Sequence, residues 1–398
     1  MPATAQLIAR GCLRPMTVSL PEISSVSWSS FMTGTNPGEH GIFGFTDLDP
    51  RTYRLRFPSY LELRAPTLWE RLGAAGKRSI VINQPATYPA RPLAGVLISG
   101  FVAIELARAV YPPENLARLQ EMGYRIDIDL ARSRQDPAFL FQELAETHAG
   151  RRRAVELLWE EEWDYFEVVV TGTDRLHHIM WEAVAQAQHE FHAAALEYYR
   201  RVDELIGWIA ARCDDLGDSA RLYLLSDHGF CGIKQEVYLN AWLREHGWLV
   251  FERDNPDSLE ELAGPTRAFA LDPSRIYLHR RDRFARGEVD AGDAAKLKAE
   301  LRDELLALEW QGEKVLAEVF DAKEIYSGPE AAKGPDLVLL SRPGFDLKGT
   351  PKSREVFGRS ALQGMHTRHD AFFRAPYEIP EEINICAPYR HIMAHLLE

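Results

Sequence analysis

Metal-ligand side chains occur at two places in the sequence, each directly after an apolar run. Asp174 and His178 follow the first run, and the adjacent pair Asp227 and His228 follows the second. If a helical turn begins after the first run, side chains four residues apart point the same way and can share a metal ion. Carboxylate oxygen and imidazole nitrogen together suit zinc, and manganese nearly as well. The pattern therefore predicts a divalent-metal site.

A single Asp-His pair after a strand is more often a capping or turn feature. Two such pairs after consecutive strands favour a shared site. His366 follows a segment rich in Gly, Pro, Lys and Arg, residues 342–365, and is expected to supply a further ligand. His177 and His369 lie beside the chosen histidines, and either could replace its neighbour. The spacing of four residues favours His178.

A candidate nucleophile stands near the amino terminus. Helix signals run from about Ser25 to Thr33, and Gly34 can end that helix. Ser24 is then at the start of the helix, where partial positive charge favours an alkoxide or a phosphate oxygen. A serine in this place is more often only an N-cap. Both interpretations of Ser24 remain open at this point.

Short apolar runs alternate with helical patterns, which predicts a largely parallel α/β sheet with ligands beyond the carboxyl ends of its strands. The core is expected to comprise residues 1–230 and 336–398, and the less regular residues 231–335 an inserted cap region. The predicted strands are Ser79–Asn83, Gly95–Ser99, Phe166–Thr171, Arg221–Ser226 and Asp336–Ser341, and the predicted helices span about 138–162, 183–212 and 290–309.

The composition limits the class of protein. The chain has 398 residues, of which 46% are apolar and 26% charged, as in globular proteins. A net charge of −13 argues against nucleic acid as a partner. The four cysteines form no C-x-x-C pair, which fits a reducing compartment. No apolar run is long enough for a signal peptide or a membrane span, so a cytoplasmic protein is expected. The composition does not determine the oligomeric state.

Several motifs together resemble the type I phosphodiesterase/nucleotide pyrophosphatase family of the alkaline phosphatase superfamily. Each motif alone is weak, but their order and spacing are specific, and the resemblance covers nearly the whole chain. The motifs are residues 24–45, Asp174 to His178, Ser226-Asp227-His228-Gly229-Phe230 and Gly364-Met365-His366, with 237–243, 324–329 and 335–338 in support.

The resemblance implies an alkaline phosphatase-like three-layer α/β/α fold and two divalent ions, zinc first and manganese as the alternative. It places Ser24 at the position of a nucleophile that attacks phosphorus and forms a covalent intermediate. Ser27, one helical turn further on, is expected to donate a hydrogen bond to the phosphate. A small phosphate ester or a nucleotide is the implied substrate. One ion would be held by Asp174, His178 and His366, and the other by Asp227, His228 and Ser24.

The sequence departs from this family at its start. Relatives begin with a strand that ends in Asp-Gly, whose Asp ligates the ion on the nucleophile side, and residue 1 here corresponds to the segment after that strand. Either the natural chain starts further upstream, or the protein lacks this strand and this Asp, and the loss would leave a gap or an unpaired edge in the sheet. A non-catalytic protein that binds phosphate esters is the resulting alternative.

Other reactions of the superfamily are further alternatives. Sulfatases resembling it carry an Arg four residues after the nucleophile, and Trp28 stands there in this chain. This residue argues against a sulfatase. A phosphomonoesterase or a phosphomutase remains open, because the metal ligands do not determine the substrate.

Overall fold

The computed structural model describes residues 1–397, in which short strands alternate with helices. The strands are β1 (Cys12–Met16), β2 (Asp47–Leu48), β3 (Leu55–Arg56), β4 (Ser79–Gln84), β5 (Gly95–Ser99), β6 (Val110–Tyr111), β7 (Tyr165–Val168), β8 (Leu224–Leu225), β9 (Gly229–Gly232), β10 (Gln235–Tyr238), β11 (Ala268–Leu271), β12 (Arg275–Leu278), β13 (Glu309–Trp310), β14 (Glu313–Lys314), β15 (Leu316–Asp321), β16 (Leu337–Ser341), β17 (Phe345–Lys348), β18 (Phe357–Gly358), β19 (Gly364–Thr367) and β20 (Ala371–Ala375).

The helices differ widely in length. They are α1 (Pro2–Ala9), α2 (Ser24–Thr33), α3 (Pro37–His40), α4 (Leu68–Ala74), α5 (Leu106–Ala109), α6 (Asn115–Glu121), α7 (Leu130–Ser133), α8 (Pro137–Trp159), α9 (Gly172–Ala185), α10 (His192–Asp215), α11 (Leu239–Glu245), α12 (Ala294–Ala307), α13 (Ala322–Ile325) and α14 (Ala387–Leu397). None of those described combines the length and the apolar character that crossing a membrane requires.

The central sheet has helices on both faces, which confirms the predicted three-layer α/β/α fold. β4 pairs in parallel with β5 and with β7, and β6 pairs antiparallel with β5. Side chains alternate between the faces of a strand. Ile80 and Ile82 accordingly pack in one apolar cluster with residues of α6, α8 and α10. Val81 packs in another, with residues of α2, α4 and α14.

The sheet is interrupted between β7 and β8. Among the described strands, β7 pairs only with β4, and β8 pairs only with β20, which also pairs with β1. The unpaired sides of β7 and β8 line a cavity of about 1480 Å³ that α1 and α10 also line.

Three predicted strands differ from the structure. Phe166–Thr171 corresponds to β7, which starts one residue earlier and ends three residues earlier than predicted. Arg221–Ser226 forms a strand only at Leu224–Leu225, and its pairing with β20 is antiparallel. It is short because one of its sides faces the cavity instead of a partner strand. Asp336–Ser341 forms β16, but β16 pairs antiparallel with β12 and β15 in a second sheet. An apolar run predicts burial, and it does not show which sheet buries the run.

β11, β12, α11 and α12 of the predicted cap region pack in one hydrophobic cluster, which also contains Leu48, Tyr53 and residues of β16 and β17 from outside that region. Most strands of this cluster belong to two small sheets, with strand orders β11-β12-β16-β15 and β17-β10-β18. Hydrogen bonding in this part therefore continues past residue 335 to β16, β17 and β18. The division of the chain into a core and an insertion at residue 335 stays a prediction.

The long helices follow their predictions in part. The helix expected at 138–162 is α8, and the one expected at 290–309 is the shorter α12. The pattern at 183–212 is divided between the end of α9 and most of α10. The chain turns between the two helices, and they pack against each other. A continuous amphipathic pattern does not reveal such a turn.

Candidate metal centre

Asp174 and His178 lie on the first turns of α9. Glycine is needed where this helix begins, because a Cβ on Gly172 would lie 1.8 Å from the Tyr198 hydroxyl of α10. The close packing of α10 thus fixes the start of α9 just after β7. The helical spacing then places Asp174 Oδ1 3.5 Å from His178 Nε2. Asp174 and His178 therefore lie on the same face of α9, as predicted.

His366 reaches the same place through a pair of antiparallel strands. β9 begins directly after Asp227 and His228, and it pairs with β19 so that Phe230 stands opposite His366. His366 Nε2 lies 2.9 Å from His178 Nε2 and 3.2 Å from Asp174 Oδ1. The β9–β19 pair therefore brings His366 to the start of α9.

His228 links the two carboxylates. Its Nε2 is 3.7 Å from Asp174 Oδ1 and 3.3 Å from Asp227 Oδ2. Its ring stacks on that of His366, with the ring centroids 3.5 Å apart. The turn between β8 and β9 thus directs Asp227 and His228 into the same group of ligand atoms. Ligand atoms of Asp174, His228 and His366 all lie within 4.8 Å of one another.

In His178, His228 and His366, one ring nitrogen forms a hydrogen bond with a backbone carbonyl oxygen, which can only accept. The Nδ1 atoms therefore donate, and the Nε2 atoms carry lone pairs that converge. The acceptors are the carbonyl oxygens of Gly364 for His178 (2.9 Å), Glu22 for His366 (2.9 Å) and Gly229 for His228 (3.1 Å). Backbone acceptors that orient histidines in this way are typical of metal sites.

Ser24 is the first residue of α2, which ends at Thr33 with Gly34 in the left-handed conformation, as predicted. The N-cap is Ile23, and within residues 1–397 no side chain caps this helix. The interpretation of Ser24 as a capping residue is therefore wrong. Its hydroxyl instead lies 3.1 Å from His228 Nε2, to which it can donate a hydrogen bond.

The pKa values of the two carboxylates in this site are shifted in opposite directions. Burial disfavours ionisation of Asp174, but its surroundings, among them the Arg175 guanidinium, hold the pKa of Asp174 well below its usual value. Burial raises the pKa of Asp227. Asp227 Oδ2 is buried and, in the described part of the chain, has no hydrogen-bond partner. A cation beside Asp227 would supply the missing counter-charge.

The histidines are suited to bind metal at neutral pH. Burial lowers the pKa of His366 to about 3 and also lowers the pKa of His178. Both rings are therefore neutral at pH 7, as metal ligation requires. Imidazole nitrogens and carboxylates, with Asp227 Oδ2 unpartnered, form a donor set that fits zinc or manganese.

The two alternative histidines point elsewhere. His177 Nε2 forms a hydrogen bond with the Tyr199 hydroxyl, and His369 is exposed. The positions of both favour His178 and His366 as the ligands. Ser27 is fully buried, and its hydroxyl has no hydrogen-bond partner among the described residues. Its role in substrate binding, like the division of the ligands between two ions, stays a prediction.

Sequence reasoning missed two neighbours of the site. Arg175 Nη1 donates to Asp174 Oδ2 at 2.8 Å, and Asp127 binds the other side of the same guanidinium. The position of Arg175 next to Asp174 was a signal for the first. Asp127 has no motif around it, because only the folded chain brings the loop before α7 to α9.

Several solved structures have a similar fold. Phosphonoacetate hydrolase from Sinorhizobium meliloti, in complex with phosphonoformate, matches with a TM-score of 0.64 and 17% identity, over 100% of this chain and 90% of that chain. Murine ectonucleotide pyrophosphatase/phosphodiesterase 5 matches with a TM-score of 0.57 and 13% identity, over 99% and 89% of the chains. Alkaline phosphatase PafA matches with a TM-score of 0.57 and 13% identity, over 98% and 90%. At these identities the likeness shows the fold.

The comparison with single curated sequences and the comparison with family models differ in their outcome. No curated protein sequence matches the chain significantly. The family model described as type I phosphodiesterase/nucleotide pyrophosphatase matches residues 1–370. This match covers most of the chain, and it agrees with the fold of the neighbours. The chain belongs to the type I phosphodiesterase/nucleotide pyrophosphatase family.

Proposed function

We propose that this chain is a metal-dependent phosphodiesterase or nucleotide pyrophosphatase that uses Ser24 as its nucleophile. The observation that carries the proposal is the place of the Ser24 hydroxyl, 3.1 Å from His228 Nε2 at the uncapped start of α2. A serine hydroxyl is a weak nucleophile by itself and requires a neighbouring group that removes its proton or stabilises the alkoxide. Ser24 has such neighbours.

The start of α2 is suited to hold a phosphate group. Free backbone N–H groups and the helix dipole favour an anion there. Phosphate oxygens at this place would bring phosphorus next to Ser24 Oγ. Ser24 Oγ forms the new bond to phosphorus while the bond to the leaving oxygen breaks, and the leaving group departs as an alcohol that has gained a proton in place of the one lost by Ser24. Water then hydrolyses the serine ester and restores Ser24.

The ligands of the metal centre divide into two proposed sets. Asp174, His178 and His366 would hold one ion, and Asp227, His228 and Ser24 the other. Zinc is the first choice and manganese the second, because of the mixed oxygen and nitrogen donors. Bound ions would activate the serine hydroxyl and neutralise charge on the phosphate.

The proposed substrate is a small phosphate ester or a nucleotide. Murine ectonucleotide pyrophosphatase/phosphodiesterase 5 has been solved as an inactive form with AMP, and the Sinorhizobium hydrolase with phosphonoacetate. The acidic charge of this chain also argues against a polymeric nucleic acid. We assign the choice among small esters to the cap region, residues 231–335, because ligand sets of this kind serve many substrates.

A direct test compares three chromogenic substrates. The metal-free protein is supplied with zinc or manganese and assayed on bis(p-nitrophenyl) phosphate, p-nitrophenyl phosphate and p-nitrophenyl sulfate. We expect metal-dependent turnover that is fastest on the diester and is lost in Ser24→Ala. Faster turnover of the monoester would indicate a phosphomonoesterase.

Three other results would contradict the proposal more strongly. A preference for the sulfate would reject phosphate esters, although Trp28 packs edge-on against Phe31 and offers no charge to such a substrate. Tight binding of the diester without turnover would indicate the non-catalytic alternative. Equal turnover by Ser24→Ala and the unsubstituted chain would reject Ser24 as the nucleophile.

A further inference from the structure

Arg175 connects Asp174 to a second carboxylate, that of Asp127. Its Nη1 donates to Asp174 Oδ2 at 2.8 Å, while its Nε and Nη2 donate to Asp127 Oδ2 at 3.0 and 2.6 Å. The Arg175 side chain is only 7% exposed. Its guanidinium also lies over the ring of Phe101, 4.2 Å from the centroid. The position of Arg175 is therefore fixed on several sides.

This contact leaves one oxygen of Asp174 for the metal centre. Oδ2 is occupied by Arg175, so Oδ1 alone faces the imidazoles, at 3.2 Å from His366, 3.5 Å from His178 and 3.7 Å from His228. A carboxylate without such a contact could rotate or bind an ion through both oxygens. The charge-assisted hydrogen bond from Arg175 Nη1 opposes this, because it holds Oδ2 while the guanidinium is itself fixed by its two-nitrogen contact with Asp127.

The charges explain why Asp127 is needed. An arginine beside a metal centre repels the cation that the centre would bind. Asp127 offsets that charge and holds the guanidinium through two of its nitrogens. Without Asp127, Arg175 could turn further towards Asp174 and compete with a metal ion for its second oxygen.

We infer that Arg175, anchored by Asp127, is a positioning residue that presents Asp174 Oδ1 as a single-oxygen metal ligand. The inference rests on the proposed metal-dependent function. Partners that orient metal ligands typically change metal affinity by about 10–100-fold when they are substituted. A purely structural link between α9 and the loop before α7 would change folding stability and leave metal affinity unchanged.

The test measures zinc affinity by competition with a chromophoric chelator and needs no substrate. We expect Asp127→Asn and Arg175→Lys each to weaken zinc binding about 10–100-fold, since lysine keeps the charge but lacks the fork. The double variant should lose little more than either single one, because the two residues act as one unit. The matched control is Arg118→Lys, which alters the partly exposed pair with Glu161 at 2.8 Å and not a contact of the proposed ligands.

The outcomes separate the inference from the function on which it rests. Thermal unfolding of each metal-free variant shows whether it folds. If Asp127→Asn does not fold, Asp127→Glu, which displaces the carboxylate by one methylene, is expected to weaken zinc binding in the same way. Zinc binding by the unsubstituted chain with affinities of the variants unchanged within about twofold would overturn the positioning role alone. No zinc or manganese binding by the unsubstituted chain would overturn both.

Discussion

The most informative prediction concerns the stability of the protein with and without zinc. A ligand that binds only the folded state stabilises it by about 2.7 kcal/mol at a free concentration of 100 times its dissociation constant. Unfolding entropy is about 2.1 cal/mol/K per residue, or about 0.8 kcal/mol/K for 398 residues. Dividing the stabilisation free energy by the unfolding entropy predicts that the melting temperature rises by about 3 °C when zinc replaces EDTA. Calorimetry measures this rise.

A single substitution shows where the zinc acts. His366 Nε2 lies within 3.2 Å of ligand atoms on both His178 and Asp174, so His366→Asn removes a central donor. We expect this variant to lose most of the zinc-dependent rise. The variant His369→Asn, on an exposed side chain three residues away, should keep the full rise. An equal rise in His366→Asn, or none in the unsubstituted chain, would refute the assignment of the metal centre.

Three further predictions test the fold around this centre. His40 is fully buried beside Ser30, and burial lowers its pKa from 6.5 in the unfolded chain to about 3 in the folded protein. Between these two values the unfolded state binds more protons than the folded state. The free energy of unfolding therefore decreases as the pH falls below 6.5. Urea unfolding should show a loss of about 2 kcal/mol from His40 between pH 7 and pH 5, absent in His40→Gln. Gly172→Ala should destabilise the protein by about 1–3 kcal/mol in the same assay, since its Cβ would meet Tyr198. Because β7 has a partner strand on one side only in the described structure, hydrogen exchange should be faster for its amides than for those of β4, and equal protection would contradict the open edge.

Part of the site could be predicted because its geometry is local. The spacing of Asp174 and His178 implies a shared helical face, and no other part of the chain is needed to create it. The choice of His178 over His177 follows from the same spacing. For Ser24, spacing alone could not separate a cap from a nucleophile. The contact that supports a nucleophile is with His228, more than 200 residues further along the chain.

The rest of the site depends on pairing between distant segments. His366 reaches Asp174 only through the register of β9 with β19, and a slip of one residue would turn it to the other face. Local sequence does not determine such a register. The resemblance to a family supplied His366, whereas Asp127, which lies outside its motifs, was missed.

The fold shows the same division between local and distant effects. β5 has the predicted bounds, and β4 is one residue longer, because short β-branched runs that are buried on both faces form strands in most environments. The strand at Asp336–Ser341 was equally apolar, but it joined the second sheet. Hydrophobicity predicts that a segment is buried, and the partner is determined by the connections of the whole chain.

The interrupted sheet affects how the metal centre is held. In a continuous sheet, hydrogen bonds between neighbouring strands would fix the distance between Asp174 and Asp227. Here their strands belong to separate sheets with a cavity between them. The link is made instead by the β9–β19 pair, which carries His366, and by the contact of the Gly364 carbonyl with His178. The affinity for metal should therefore respond more to changes in β19 than to changes in β8, although β8 is the strand that leads to Asp227.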